Sequence, residues 1–164
     1  MTITTLLLLL ARVFHIFGGV IWAGSMFALS FGVMPIGAQH AADGSGRFMG
    51  LVMRRLGPAS GIAAIVTVLS GFYLFGTLHS GDHSVSGIVL GTGAVAGVLS
   101  LLVGVLIGRP AGMRLSELQM NPATADKAQL ASLQRRAAVS GRVAGMLLGL
   151  AILSMAAFRY AGAL

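Results

Sequence analysis

The sequence predicts an all-α fold: an integral membrane four-helix bundle forming a single domain, residues 1–164. Three observations predict it. Hydrophobic residues make up 56% of the chain against 9% charged, and the mean hydropathy is +0.91, far from soluble averages. Four apolar runs long enough to cross a bilayer are separated by polar breaks. Nine of the eleven basic residues cluster in or beside two of the connections between those runs.

The first run, residues 13–34, carries Arg12 at its head and His15 and Trp22 along its length. At 100° per residue, Arg12, His15, Gly19, Trp22 and Met26 share one helix face. Ionisable groups avoid hydrocarbon, so this face is the inside of the bundle. Apolar character extends from Ile3 to Ile36, roughly 50 Å at ~1.5 Å per residue, so the helix tilts or protrudes. No basic residue precedes Thr4 to Leu10 and Arg12 interrupts the apolar region, so the segment reads as retained, not as a cleaved signal.

The second span is residues 58–78, with Pro58 in its first turn. The third is residues 86–108, stopped by Arg109-Pro110, and the fourth is residues 141–158. A short turn, His79 to Val85, joins the second and third spans. The connection from Arg109 to Ser140 holds two helical pieces, with a helix start at Asn121-Pro122 and a run from Ala125 into the fourth span.

The basic residues orient the bundle. Arg47, Arg54 and Arg55 lie in the first connection, and Arg109, Arg114, Lys127, Arg135, Arg136 and Arg142 lie in or beside the third. The positive-inside rule places both termini and the His79–His83 turn on the extracytoplasmic side of a bacterial inner membrane. The net charge of +7 thus reads as orientation and contact with anionic lipid, with no nucleic-acid partner. The absence of cysteine excludes disulfides and thiolate metal sites.

Gly141, Gly145 and Gly149 form one ridge in the fourth span; Gly93, Gly97, Ser100, Gly104 and Gly108 form another in the third. Small residues at this spacing let helix backbones approach closely, within the bundle or against partner subunits or a second copy.

Two places carry candidate chemistry. His79-x-x-Asp82-His83 offers imidazoles and a carboxylate suited to Cu(II), Zn or Ni, or else a solvated polar turn. Arg12 and His15 suggest a polar cluster below the outer surface, which Met155, Arg159 and Tyr160 reach from the fourth span. The plainer alternatives are a snorkelling Arg12 and a His15 satisfied by an interhelical hydrogen bond. His40 reads as an interfacial polar residue. No paired carboxylates and no nucleotide-binding loop mark an enzyme.

The pattern His15-x6-Trp22-x-Gly24-x-Met26-Phe27, with Met34-Pro35, Arg47-Phe48-Met49-Gly50, Pro58, Ser70-Gly71-Phe72-Tyr73-Leu74 and Met155-Ala156-Ala157-Phe158-Arg159-Tyr160, resembles copper-resistance protein D and related bacterial four-helix membrane families. It is more distantly similar to the four-helix membrane protoporphyrinogen oxidase, which begins with a His-bearing helix and binds haem. That family carries a Lys in its third helix, where this chain has no ionisable residue, which points away from protoporphyrinogen oxidation. The resemblance implies a small membrane protein binding copper or haem b near its extracytoplasmic face. His15 with His79, Asp82 or His83 would supply metal ligands, and Arg12, Trp22 and Met155 would line the cofactor. The alternative is a non-catalytic accessory subunit of a larger respiratory or photosynthetic complex.

The charge distribution yields a direct test of topology. Single cysteines at Ser84 and Ser132 are expected to differ towards an impermeant maleimide in outer-permeabilised cells, Ser84→Cys labelling and Ser132→Cys not. The reverse pattern would invert the bundle.

Overall fold

The computed structural model describes residues 2–40, 45–120 and 126–163. They are helical almost throughout and contain no strand. The elements are α1 (Ile3–Phe27), a π-helical segment (Ala28–Val33), α2 (Met34–Gln39), α3 (Ser45–Leu78), α4 (Val85–Val103), a second π-helical segment (Gly104–Gly108), α5 (Arg109–Met120) and α6 (Lys127–Ala161). They form four continuous rods, each long and apolar enough to cross a membrane: Ile3–Gly37, Phe48–Leu78, Val85–Met120 and Lys127–Ala161. The four-helix, multi-pass architecture follows. Their 31 to 36 residues exceed the ~20 that span a ~30 Å hydrocarbon core, so the rods tilt or reach past the headgroups.

The rods are longer than the apolar runs because two expected breaks do not break them. Pro58 lies inside α3, which begins at Ser45, and not in a first turn. Arg109-Pro110 does not end the third rod, which passes through a π-helical segment into α5. The first rod likewise passes through a π-helical segment into α2 just before Pro35. A proline ring clashes with the carbonyl four residues earlier and cannot donate to it. For Pro35 and Pro110 those carbonyls belong to Phe31 and Leu106, each inside a π-helical segment. The wider turn re-accommodates the freed backbone, so the helix continues. The expected run from Ala125 into the fourth span corresponds to α6, which is unbroken from Lys127; Asn121-Pro122 lies outside the described residues.

Packing follows small residues. α1 runs along α3 and α4 along α6, while α5 joins α3 to α6 at the opposite end of the bundle. α6 turns a stripe inward, made of Leu133, Ala137, Ser140, Ala144, Leu148, Ala151 and Ser154, with Gly145 buried beside it. Against it the Ser100 hydroxyl donates to the Ala144 carbonyl at 2.8 Å, a bond between backbones in close approach. Trp22, Ala23, Ala63, Ala64 and Leu148 meet in one core where α1, α3 and α6 cross. Ala111, Leu115, Leu133 and Ala137 form a second core at the arginine-rich end.

Both glycine ridges are occupied inside the chain. Cβ atoms added at Gly141, Gly145 and Gly149 would meet Ser30, Phe31 and Phe27 of the first rod. Phe27 and Phe31 stack at 5.7 Å between ring centroids, so the ridge is the seat of an aromatic pair. Gly93, Gly97 and Gly108 face Ser154, Ala151 and Ser140 of α6, and Gly104 alone of that row meets nothing within 4 Å. Large apolar side chains are left exposed around the bundle, as a lipid-facing exterior requires.

These contacts predict a contrast between two glycines. A Cβ at Gly93 would stand 2.7 Å from Ser154 Cβ and 3.1 Å from the Ala151 carbonyl, whereas Gly24 has nothing within 4 Å. Gly93→Leu is expected to destabilise by about 1–3 kcal/mol through overpacking, and Gly24→Leu to be tolerated. Thermal unfolding in detergent reads the difference; equal melting of Gly93→Leu and wild type would refute the α4–α6 seam.

Candidate functional site

The candidate residues lie towards the end of the bundle that carries the termini. Gly18 lets α1 press against α3 there: its added Cβ would be 2.7 Å from Thr67 Oγ1 and 3.1 Å from the Ala63 carbonyl. His15 sits one turn earlier on the same face, half-buried. Its Nδ1 donates to the Thr67 carbonyl at 2.8 Å. A Cβ on Gly71 would lie 2.8 Å from His15 Cε1, so Gly71 is the space the ring occupies. The Thr67 hydroxyl turns back to the Ala63 carbonyl at 2.7 Å and the Ser70 hydroxyl to the Val66 carbonyl at 2.6 Å. The Ser70 hydroxyl also reaches the Thr67 carbonyl at 3.1 Å, so that oxygen accepts from both Ser70 and His15 beside the cleft at Gly71.

A carbonyl can only accept, so Nδ1 carries a proton. With Nδ1 tied in this way, a neutral His15 ring presents its lone pair at Nε2, the arrangement common in ligating histidines. A metal ion or haem iron, if bound here, would be held by this imidazole through Nε2. Arg12 is exposed about one turn above, Trp22 is 4% exposed about two turns below within the core, and Met155 is half-buried on α6. Trp22 packs with Ala63 and Ala64 of α3 and Leu148 of α6, and among the described residues no hydrogen bond joins Arg12 or Met155 to His15.

His79 has a different seat. It lies eight residues beyond Gly71, about 12 Å along the axis of α3. Its ring meets Phe158 of α6 edge-on at 5.7 Å and Phe75 at 6.3 Å between centroids. Arg159 stands 5.9 Å over the Phe158 ring. The turn that follows is shaped by Gly81, whose φ of +80° is in the left-handed region. Asp82 is engaged by that turn: its carboxylate accepts from the Ser84 backbone N–H at 3.0 Å. The Ser84 hydroxyl, then that N–H, hold its carboxyl below the usual carboxylate range. Ser84 caps α4 by accepting from the Gly87 N–H at 3.1 Å, and His83 is exposed.

The structure thus brings His15 to Thr67 and Gly71, and His79 to Phe75 and Phe158, in two separate places. Among the described residues, no group of three or more His, Cys, Asp or Glu is placed to hold a metal ion. His40 bonds its own helix end, with Nδ1 donating to the Ile36 carbonyl at 3.0 Å. Sequence reasoning missed Thr67, Gly71, Phe75 and Phe158. The Phe75/His79 spacing of four was a visible signal; the pairing of His15 with Gly71 needs the register between two helices. Comparison with family models, with curated proteins and with solved structures finds no match to this chain.

Proposed function

We propose that the chain is a multi-pass protein of the bacterial inner membrane, with both termini and the His79–His83 turn extracytoplasmic, serving as a non-catalytic accessory subunit of a larger membrane complex. One observation carries this reading: the half-buried imidazoles act as ties between helices, His15 between α1 and α3 and His79 between α3 and α6. The outer turns of α1 add to it. Leu6, Leu7, Leu9 and Leu10 are each more than 40% exposed and fall within an arc of roughly 160° at 100° per residue, one apolar face that a membrane partner can cover.

A second reading is favoured by the Nδ1 bond of His15. An imidazole so oriented can hold haem b or copper through Nε2, with Arg12 positioned for an anionic group such as a propionate. The His-x6-Trp-x-Gly pattern shared with copper-resistance protein D motivates it. Haem would supply redox or ligand-binding chemistry; the chain's own contribution is one imidazole and its orienting carbonyl.

His15→Asn separates the two. Asparagine can still donate to the Thr67 carbonyl but lacks Nε2. On the accessory reading, purified wild type holds no stoichiometric haem or copper. His15→Asn then keeps its place in a larger native-gel complex, while His15→Ala is less stable by about 1–3 kcal/mol. Stoichiometric haem or copper in wild type, lost in His15→Asn, would establish the second reading instead.

A further inference from the structure

At the arginine-rich end, the second π-helical segment and α5 leave a groove against α6. Its volume is about 240 Å³, and it is lined by Leu106, Ile107, Pro110, Ala111 and Arg114 on one wall, Leu133 and Arg136 on the other. We propose that this groove binds an anionic phospholipid, with the lipid phosphate held between Arg114 and Arg136 and the start of an acyl chain against Leu106 and Ile107.

Charge complementarity selects the occupant. Arg114 and Arg136 reach the groove from different helices, both are exposed, and neither forms an ion pair among the described residues. Guanidinium groups present planar forks that match phosphate oxygens. A free phosphate would leave the Leu106, Ile107 and Pro110 wall without a partner; an amphiphile satisfies both halves. Leu106 and Ile107 lie seven to eight residues from Arg114, about 10–12 Å along the rod towards the membrane interior, the direction an acyl chain takes from its phosphate. The volume falls below the about 300–1,000 Å³ of enclosed small-molecule sites, so the groove seats part of a lipid and the rest lies in the bilayer. The continuous third rod is what builds the groove, because the passage through Pro110 carries Arg114 past α6.

Native mass spectrometry of the purified chain with equimolar phosphatidylglycerol and phosphatidylcholine tests the site. Wild type is expected to retain phosphatidylglycerol over phosphatidylcholine. Arg114→Gln and Arg136→Gln should each weaken retention about fivefold, and the double variant more, since each basic residue near an anionic surface contributes about that much. Arg159→Gln, at the other end of the bundle, should match wild type. The single variants carry the test if the double variant does not fold. Equal loss in Arg159→Gln, no preference between the two lipids in wild type, or displacement of phosphatidylglycerol by millimolar inorganic phosphate would each overturn the proposal.

Discussion

Close backbone approach along α6 is the constraint on which the rest of this molecule depends. In hydrocarbon, lipid tails are as apolar as leucine, so helices gain little from hiding apolar surface against one another. They associate through dispersion and short hydrogen bonds, and both need backbones near contact. α6 provides this on two sides. Its Ala144 and Ser154 side takes α4, closely enough for Ser100 to reach the Ala144 carbonyl, and its Gly141–Gly149 ridge takes Phe27 and Phe31. The first rod is thereby fixed by its lower half, and its upper half follows α3 through Gly18. His15 then comes over Gly71 as a consequence of that register, and the imidazole closes the α1–α3 seam.

The prolines extend this arrangement beyond the apolar core. Pro35 and Pro110 each sit just after a π-helical segment, and those segments pack on neighbouring stretches of α6. Ser30, in the first, faces Gly141; Gly108, ending the second, faces Ser140. The wide turns that relieve the proline clash thus occur where α6 is smallest. Continuing past them, α5 builds the second core with α6 around Ala111, Leu115, Leu133 and Ala137, Met34 of α2 packs against it, and α5 brings Arg114 to the same end as Arg136 of α6.

Much of the fold was legible in the sequence because membrane helices declare themselves by run length, and the rule of small-residue ridges needs no partner to be named. The inward face of the first helix was legible too: His15 is half-buried and Trp22 buried, as their spacing with Met26 implied. Rod ends were not, since Pro58 and Arg109-Pro110 carry the local signature of helix boundaries. A neighbouring helix and a π-helical turn decide otherwise. The seats of the histidines were legible only in part. That His15 lies inside a helix pair follows from its face; that its Nδ1 meets the Thr67 carbonyl depends on an inter-helix register no local pattern encodes. The turn bond of Asp82, whose carboxylate accepts from the Ser84 N–H, was not legible either.

The α4–α6 seam offers the most direct measurement of the central claim. A Cβ added at Gly97 would lie 3.9 Å from Ala151 Cβ, within the about 3.5–4.5 Å that disulfides span. The chain has no native cysteine, so Gly97→Cys/Ala151→Cys can be oxidised in membranes without background. With a protease site introduced between α5 and α6, close approach within one chain predicts two fragments that stay joined until reduced, while Gly97→Cys/Ile152→Cys, turned outward, stays separable. Cross-links formed only between chains, or at the rate of the Ile152 control, would contradict the account.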